Sequence, residues 1–383
     1  MSVTAPQGFR AAGVAAGLKS TGAPDVAVVV NDGPDDGAAA VFTTNRFPAA
    51  PVLWSRQVLA GNRLRAVVLN SGGANACTGP EGFQDTHATA EHAAAELGLG
   101  AIDVAVASTG LIGVRLPMEK LTAGVTAAVK GLSEDGGPDA ARAIMTTDSV
   151  PKTTVQSRDG WTVGGMAKGA GMLAPSLATM LVVLTTDAVV DPDVLQPALK
   201  QATAVSFERV DSDGCLSTND TVIVLANGAS GIQPSAEALT EALTSAAIDL
   251  AMQLLADAEG STKDIAITVR NAAGVEDALT AGRACARNNL LKTALFGNDP
   301  NWGRVLAAIG TTDAAFEADQ VDVTINGVTV CRGGAIGDPR EGVDLTGRQI
   351  EIDVDLKAGS EQATIWTNDL SIAYVHENSA YST

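Results

Sequence analysis

Histidine is nearly missing from this chain: three occur in 383 residues. His87 and His92 stand five apart and so share no helix face well, and His376 lies near the end. A histidine metal pair is disfavoured, and a Ser/His nucleophilic pair is poorly supplied with bases. Cysteine is scarce too. Cys77, Cys215, Cys285 and Cys331 are far apart and form no CxxC pair, which argues against a disulfide framework or a zinc site. Aromatic residues make up 3% of the chain, so small-residue packing replaces aromatic cages. Basic residues are outnumbered, 25 Lys and Arg against 44 Asp and Glu, for a net charge of −19. Nucleic acid and anionic membranes would be repelled, although such acidity also serves solubility. No Walker A pattern supports nucleotide hydrolysis, and Gly169-Ala-Gly171 is too short for a dinucleotide fingerprint. Residues 1–9 lack a basic segment followed by an apolar core, and no apolar run is read as reaching transmembrane length. A soluble cytoplasmic protein is expected.

What the chain does have is alanine, 40 glycines and an apolar fraction of 46%, enough for two or three packed domains. Strands and helices alternate. Val-rich segments bounded by turn residues read as strands at 25–30, 38–43, 65–70, 103–108, 161–165, 180–186 and 221–226. Helices are expected at 86–97, 117–132 with Pro117 in the first turn, 138–145, 191–204 with Asp191 as N-cap, and 235–258. The pattern changes near 264: a strand at 264–269, a helix at 275–291, a short helix at 300–309, a hairpin signalled by Asn326-Gly327 between β-branched runs, and strands at 349–356 and 362–367. This predicts an α/β catalytic domain over 1–274 and a smaller α+β domain over 275–383.

One segment stands out for chemistry: Lys168-Gly-Ala-Gly-Met-Leu-Ala-Pro-Ser-Leu-Ala-Thr179, a Gly/Pro-rich loop feeding an apolar strand. A Thr entering a strand is usually only a β-former. If the chain broke before Thr179, however, the residue would carry a free α-amine able to serve as its own base. Gly169, Gly171 and Pro175 allow close packing and a twisted peptide, and Ala178 is too small to hinder attack by the hydroxyl. Lys168 reads either as a solvated surface lysine or as a desolvated donor. Ala107-Ser-Thr109-Gly110 follows a buried strand and reads as ordinary turn chemistry or as an oxyanion hole. Glu259, before Gly260 at the end of a long helix, is a carboxylate at the wrong pole of the helix dipole, which hints at a role elsewhere or at a frayed end. The tail from 368 to 383, with two tyrosines, looks docked.

Taken together these residues resemble the glutamate N-acetyltransferase family, also called ornithine acetyltransferase, of arginine biosynthesis. The resemblance runs through Asn70-Ser-Gly-Gly-Ala-Asn75-Ala-Cys77, Ala107-Ser-Thr-Gly110, Met145-Thr-Thr-Asp148 with Pro151-Lys152, Gly165-Met-Ala-Lys168-Gly-Ala-Gly-Met172 and Ala178-Thr-Met-Leu181. It continues through Asp213-Gly-Cys-Leu-Ser-Thr-Asn-Asp220, Asp257-Ala-Glu-Gly260, Asp299-Pro-Asn-Trp-Gly-Arg304 and the C-terminal segment. The family's Pro-Asn-Met-Ala-Thr stands here as Pro175-Ser-Leu-Ala-Thr179, a change beside the junction that leaves Ala178-Thr179 itself intact.

The resemblance implies a layered α/β sandwich of the self-processing aminopeptidase type with a smaller C-terminal α+β domain. It implies self-cleavage between Ala178 and Thr179 into an α chain, 1–178, and a β chain, 179–383. Thr179 would accept acetyl from N2-acetyl-L-ornithine and pass it to L-glutamate by ping-pong chemistry. Thr109 and Gly110 would form the oxyanion hole. Thr146, Lys168, Thr179, Glu259, Asn378 and Thr383 would line the substrate site, with Glu259 either holding the substrate amine or assisting proton transfer. No metal or cofactor is implied, and the active form would be an α2β2 heterotetramer. Acetyl-CoA as a second donor, which would make the enzyme bifunctional, is left open. The alternatives are an amidohydrolase or aminopeptidase using the same N-terminal Thr, and an uncleaved amino-acid-binding protein.

Overall fold

Val- and Ile-rich runs, whose β-branched side chains crowd a helix, pair into three sheets in the computed structural model, which describes residues 2–174 and 180–380. The first sheet holds β1 (Phe9–Val14), β2 (Val26–Asn31), β4 (Ala66–Asn70) and β5 (Val104–Ser108) in the order β1-β2-β4-β5, with only β4 and β5 parallel. The central sheet holds β3 (Gly37–Phe42), β6 (Lys152–Arg158), β7 (Trp161–Lys168), β8 (Leu181–Thr186) and β9 (Thr221–Ala226) in the order β3-β9-β8-β7-β6. Parallel pairing of β8 with β9 sets Leu181 opposite Thr221.

Strand periodicity makes the central sheet serve two cores. Leu181, Val183, Ile223 and Leu225 join the first sheet's core, while Val182, Leu184, Val222 and Val224 join the core beneath two long helices. Fully burying each such side chain contributes about 1.5–3 kcal/mol. The first sheet is covered by α1 (Ala50–Val58), α2 (Gly79–Leu97), α3 (Met118–Lys130) and α4 (Gly137–Ala143). The central sheet is covered by α5 (Pro192–Ala204) and α6 (Ala236–Ala256). The layers therefore run helices, sheet, sheet, helices. Asp191 caps α5 by accepting the Asp193 N–H at 2.9 Å, and Ser235 caps α6 by accepting the Ala238 N–H at 3.1 Å.

Helix α6 corrects one expectation. By length and composition it could cross a membrane, contrary to the reading that no apolar stretch is long enough. Its Leu239, Leu243, Ala246, Leu250 and Leu254 are instead buried on the central sheet, as an amphipathic period requires.

The third sheet comprises β10 (Asp264–Ala272), β11 (Asp322–Ile325), β12 (Val328–Arg332), β13 (Ala335–Ile336), β14 (Gln349–Asp355) and β15 (Glu361–Asn368), ordered β13-β12-β11-β14-β10-β15. Strand β10 precedes residue 274 and pairs with both β14 and β15. Asn326 and Gly327 turn the hairpin between β11 and β12 at φ values of 42° and 84°. Helices α7 (Val275–Ala286), α8 (Asn289–Phe296) and α9 (Trp302–Ile309) complete this core. The helix expected over 275–291 is two helices, because Asn288 starts a new one by accepting the Leu291 N–H at 2.9 Å. The tail forms α10 (Ile372–Ala380).

Candidate active site

Several strand ends and loops converge on one cavity of about 540 Å³. This lies within the size range of small-molecule sites. Thr109 and Gly110 follow the end of β5. A network of buried amides fixes them there: the Ser108 hydroxyl donates to Asn70 Oδ1 at 2.5 Å, Asn70 Nδ2 donates to Gly73 O at 3.0 Å, and Asn219 Nδ2 donates to Ala74 O at 2.6 Å and Ser108 O at 2.8 Å. The Thr109 N–H is taken up by Asn70 O at 2.9 Å, whereas the Gly110 N–H has no partner among the described residues. The donors that this turn can offer a ligand are thus the Thr109 hydroxyl and the Gly110 amide. Gly110 has φ +130°, and a Cβ on it would stand 2.8 Å from the Gly73 nitrogen, so only glycine fits.

Lys168 ends β7 and is buried rather than solvated, 2% exposed. Its Nζ donates to Thr109 Oγ1 at 3.4 Å. Burial pushes the ammonium below its ordinary pKa; Asp148 counteracts this and Lys152 adds to it. Behind Lys168 lies an ion cluster. Lys152 Nζ, fully buried, bridges Asp148 Oδ1 at 2.7 Å and Asp257 Oδ2 at 2.6 Å. Asp148 also accepts the N–H of Thr146 at 2.9 Å and of Gly169 at 2.6 Å. Burial alone would raise the Asp148 pKa, but Lys168, Lys152 and the Gly169 amide bring it down to about 2.

Glu259 reaches the cavity from beyond α6. The helix stops at Ala256 with Asp257 as its C-cap, so the helix-end reading of Glu259 does not apply. Its N–H donates to Ala170 O at 2.9 Å, and its carboxylate packs directly on Gly171, where a Cβ would lie 2.6–2.8 Å from it. Gly260 takes φ +62°, and its Cα abuts the backbone of Tyr374 in α10, docking the C-terminal helix and bringing Asn378 to the cavity rim. Thr146 lines the cavity as well.

The cavity therefore brings together Thr109, Gly110, Thr146, Lys168, Glu259 and Asn378. Ala178, Thr179 and Thr383 lie outside the described residues. Met180, next after Thr179 in the chain, donates its N–H to Asp220 Oδ1 at 3.1 Å. Asp220 is wholly buried, its Oδ2 has no partner among the described residues, and burial holds its pKa well above the ordinary carboxylate range. No role was assigned from sequence to Asp148, Lys152, Asp220 or Asp257, although all four fall in the quoted motifs. Lys19 lines the cavity too, and nothing in its surrounding sequence marked it. Among the described residues no group of His, Cys, Asp and Glu could hold a metal ion.

The layered α/β sandwich thus gathers a hydroxyl, a buried lysine and a carboxylate in one cavity, the equipment of an enzyme. The sequence pattern of the ArgJ family matches residues 10–383, and the chain belongs to this family of enzymes. It is 65% identical to the arginine biosynthesis bifunctional protein ArgJ of Streptomyces avermitilis, over the full length of both chains. An ornithine acetyltransferase from Mycobacterium tuberculosis, solved in complex with ornithine, is 63% identical over 47% of this chain and 96% of the solved one, with a TM-score of 0.45. The arginine biosynthesis bifunctional protein ArgJ of Bacillus halodurans is 33% identical over 52% of this chain and 98% of the solved one, with a TM-score of 0.50.

Proposed function

We propose that this chain cuts itself between Ala178 and Thr179 and then carries acetyl from N2-acetyl-L-ornithine to L-glutamate as an ester on Thr179. In self-cleavage the Thr179 hydroxyl attacks the Ala178 carbonyl, the peptide C–N bond breaks, and the nitrogen takes up the hydroxyl proton. Water hydrolyses the resulting ester, leaving an Ala178 carboxylate and a Thr179 with free amine and hydroxyl. In turnover the hydroxyl attacks the donor's acetyl carbonyl. Its proton passes to the Thr179 amine and then to the departing α-amine of ornithine. The α-amine of glutamate next attacks the ester, and the hydroxyl is restored.

The observation that carries this reading is the meeting of the Thr109 hydroxyl, the Gly110 amide, Lys168 and Glu259 in one cavity. The first two are suited to receive the oxyanion of each tetrahedral intermediate, a contribution of roughly 3–4 kcal/mol per donor in comparable sites. Lys168 polarises the Thr109 hydroxyl. Thr146, Asn378 and Thr383 complete the substrate site, and Glu259 holds the substrate amine or assists proton transfer near the Thr179 amine. An enclosed site would protect the ester from water between the two half-reactions.

Further support comes from the relatives. The Bacillus halodurans chain is matched over 98% of its length by only 52% of this one, the proportion expected of one product of a cut near the middle. The word bifunctional in the relatives' names fits acetyl-CoA as a second donor to glutamate. An α2β2 assembly in the cytoplasm belongs to the same reading.

Intact-mass measurement of purified protein is expected to find two fragments, one ending at Ala178 and one starting at Thr179. Labelled acetyl is expected to move from N-acetylornithine to glutamate. Thr179→Ala is expected to give one uncut, inactive chain, and Thr179→Ser to retain some cutting. Release of free acetate without transfer would favour the hydrolase instead, and an active full-length band would overturn self-processing.

A further inference from the structure

The ionisable side chains lining the cavity, among the described residues, are Lys19, Lys168 and Glu259, two cations and one anion. Lys168 stands at the Thr109 hydroxyl, the reacting end. Lys19 is held elsewhere in the cavity by a rigid loop. Asp25, wholly buried, clamps that loop by accepting the N–H groups of Ala16 at 2.6 Å, Leu18 at 2.6 Å and Lys19 at 3.0 Å. Leu18 packs flat on Gly72, where a Cβ would stand 2.2 Å away, so the loop is locked to the cavity wall. The Lys19 ammonium donates to Met145 O at 2.6 Å, next to Thr146, and to Pro24 O at 2.8 Å. Two of its three N–H groups thus rest on carbonyls, which orient the ammonium and leave its third N–H for a ligand, with Asp25 and Asp148 near enough to act on its charge. Burial pushes its pKa down and Lys168 adds to this, while Asp25 and Asp148 act against it.

This inference rests on the acetyl-transfer reading above. The two amino acids that the site would handle differ at the end of the side chain: ornithine carries an ammonium there and glutamate a carboxylate. A cavity serving both needs one cation for the common α-carboxylate or the oxyanion and a second for the carboxylate that only glutamate brings. We propose that Lys19 is the specificity residue that receives the side-chain carboxylate of the glutamate acceptor. A carboxylate held by a fixed, half-buried ammonium makes a charge-assisted hydrogen bond, while an isosteric amide forfeits the charge.

A comparison of two acceptors in two proteins tests this. The kcat/KM values for acetyl transfer to glutamate and to glutamine are measured in wild type and in Lys19→Met, together with the rate of ornithine release from N-acetylornithine. The glutamate-to-glutamine ratio is expected to fall at least tenfold in Lys19→Met, mainly through the KM of glutamate. Transfer to glutamine and ornithine release should change less than about threefold, and Lys19→Arg should keep most of the glutamate preference. An unchanged ratio, or an equal loss in all three reactions, overturns the proposal and makes Lys19 a structural tether. Wild-type protein that transfers acetyl to neither acceptor sinks the acetyl-transfer reading and this inference with it.

Discussion

A Cβ on Gly171 would stand 2.6–2.8 Å from the carboxylate of Glu259, closer than such atoms approach. The side chain that would yield is Glu259's own, the far end of a flexible residue. Gly171→Ala should therefore spare the fold and disturb the site. We expect the kcat/KM for acetyl transfer to drop by roughly 100-fold, the cost of about an ångström of misplacement, while the melting temperature moves by no more than a few degrees. A variant with normal turnover would show that Glu259 does not act from this position. Gly110 is held by backbone instead: its positive φ and the Gly73 nitrogen leave no side chain able to give way. Two glycines in one cavity thus serve different ends, one admitting a carboxylate and the other shaping an amide donor.

At the scale of elements, Lys152 in β6 ties three segments that bear cavity residues. Through Asp148 it fixes the Thr146 turn and the Gly169 amide after Lys168, and through Asp257 it fixes the C-cap of α6, two residues before Glu259. The Ser149 hydroxyl and its N–H both donate to Asp257, closing the cluster. Lys152→Met would remove the cation that the two carboxylates share, and we expect a loss of about 3–5 kcal/mol of stability. The cluster also sets an acid limit. Asp148 has its pKa lowered from 3.8 to about 2 in the folded protein. The folded state therefore binds fewer protons than the unfolded chain in that window, and stability falls as pH drops through it. The stabilisation is complete above about pH 4 and is lost between about 4 and 2, a loss of about 2 kcal/mol by linkage. Denaturant midpoints of the Thr179→Ala chain, which is expected to stay in one piece, at pH 2, 3, 4 and 5, compared with the same chain carrying Asp148→Asn, would measure it. Parallel pH profiles would remove Asp148 as the cause.

Across the whole molecule, the third sheet is joined to the central layers through Asn368, at the end of β15. Its Nδ2 donates to Leu255 O at 3.1 Å and Lys263 O at 3.0 Å, and its Oδ1 accepts the Ser212 hydroxyl at 2.7 Å. Lys292 reinforces the joint by donating to Ser212 O at 2.5 Å and Thr367 Oγ1 at 2.9 Å. All of this is buried, so Asn368→Ala strands several polar groups at once. About 1–3 kcal/mol follows for each group left without a partner, and we expect a lowered unfolding midpoint by calorimetry. An unshifted midpoint would mean that water enters and replaces the amide. The joint also bears on the cavity, because α10, which brings Asn378 to its rim, follows β15 directly.

Local chemistry in the sequence determined most of the elements. The strand at Thr221–Ala226, the cap at Asp191 and the hairpin at Asn326-Gly327 are written in β-branched runs, a short carboxylate and a left-handed pair, each acting over a few residues. Strand β1, with Phe9-Arg-Ala-Ala-Gly-Val14, has no such run and was unreadable without its partner β2, and β6 was lost among polar residues. Helix α1 lacks a side-chain cap. The order of motifs in the chain marked out the family, and with it the residues in which to look for a site. Only the tertiary structure decided that Lys168 is buried, that Glu259 leaves its helix to rest on Gly171, and that Lys19, more than a hundred residues away in the chain, faces the same cavity. Such facts depend on contacts between distant segments, and charge, burial and reach are properties of those contacts rather than of any stretch of residues.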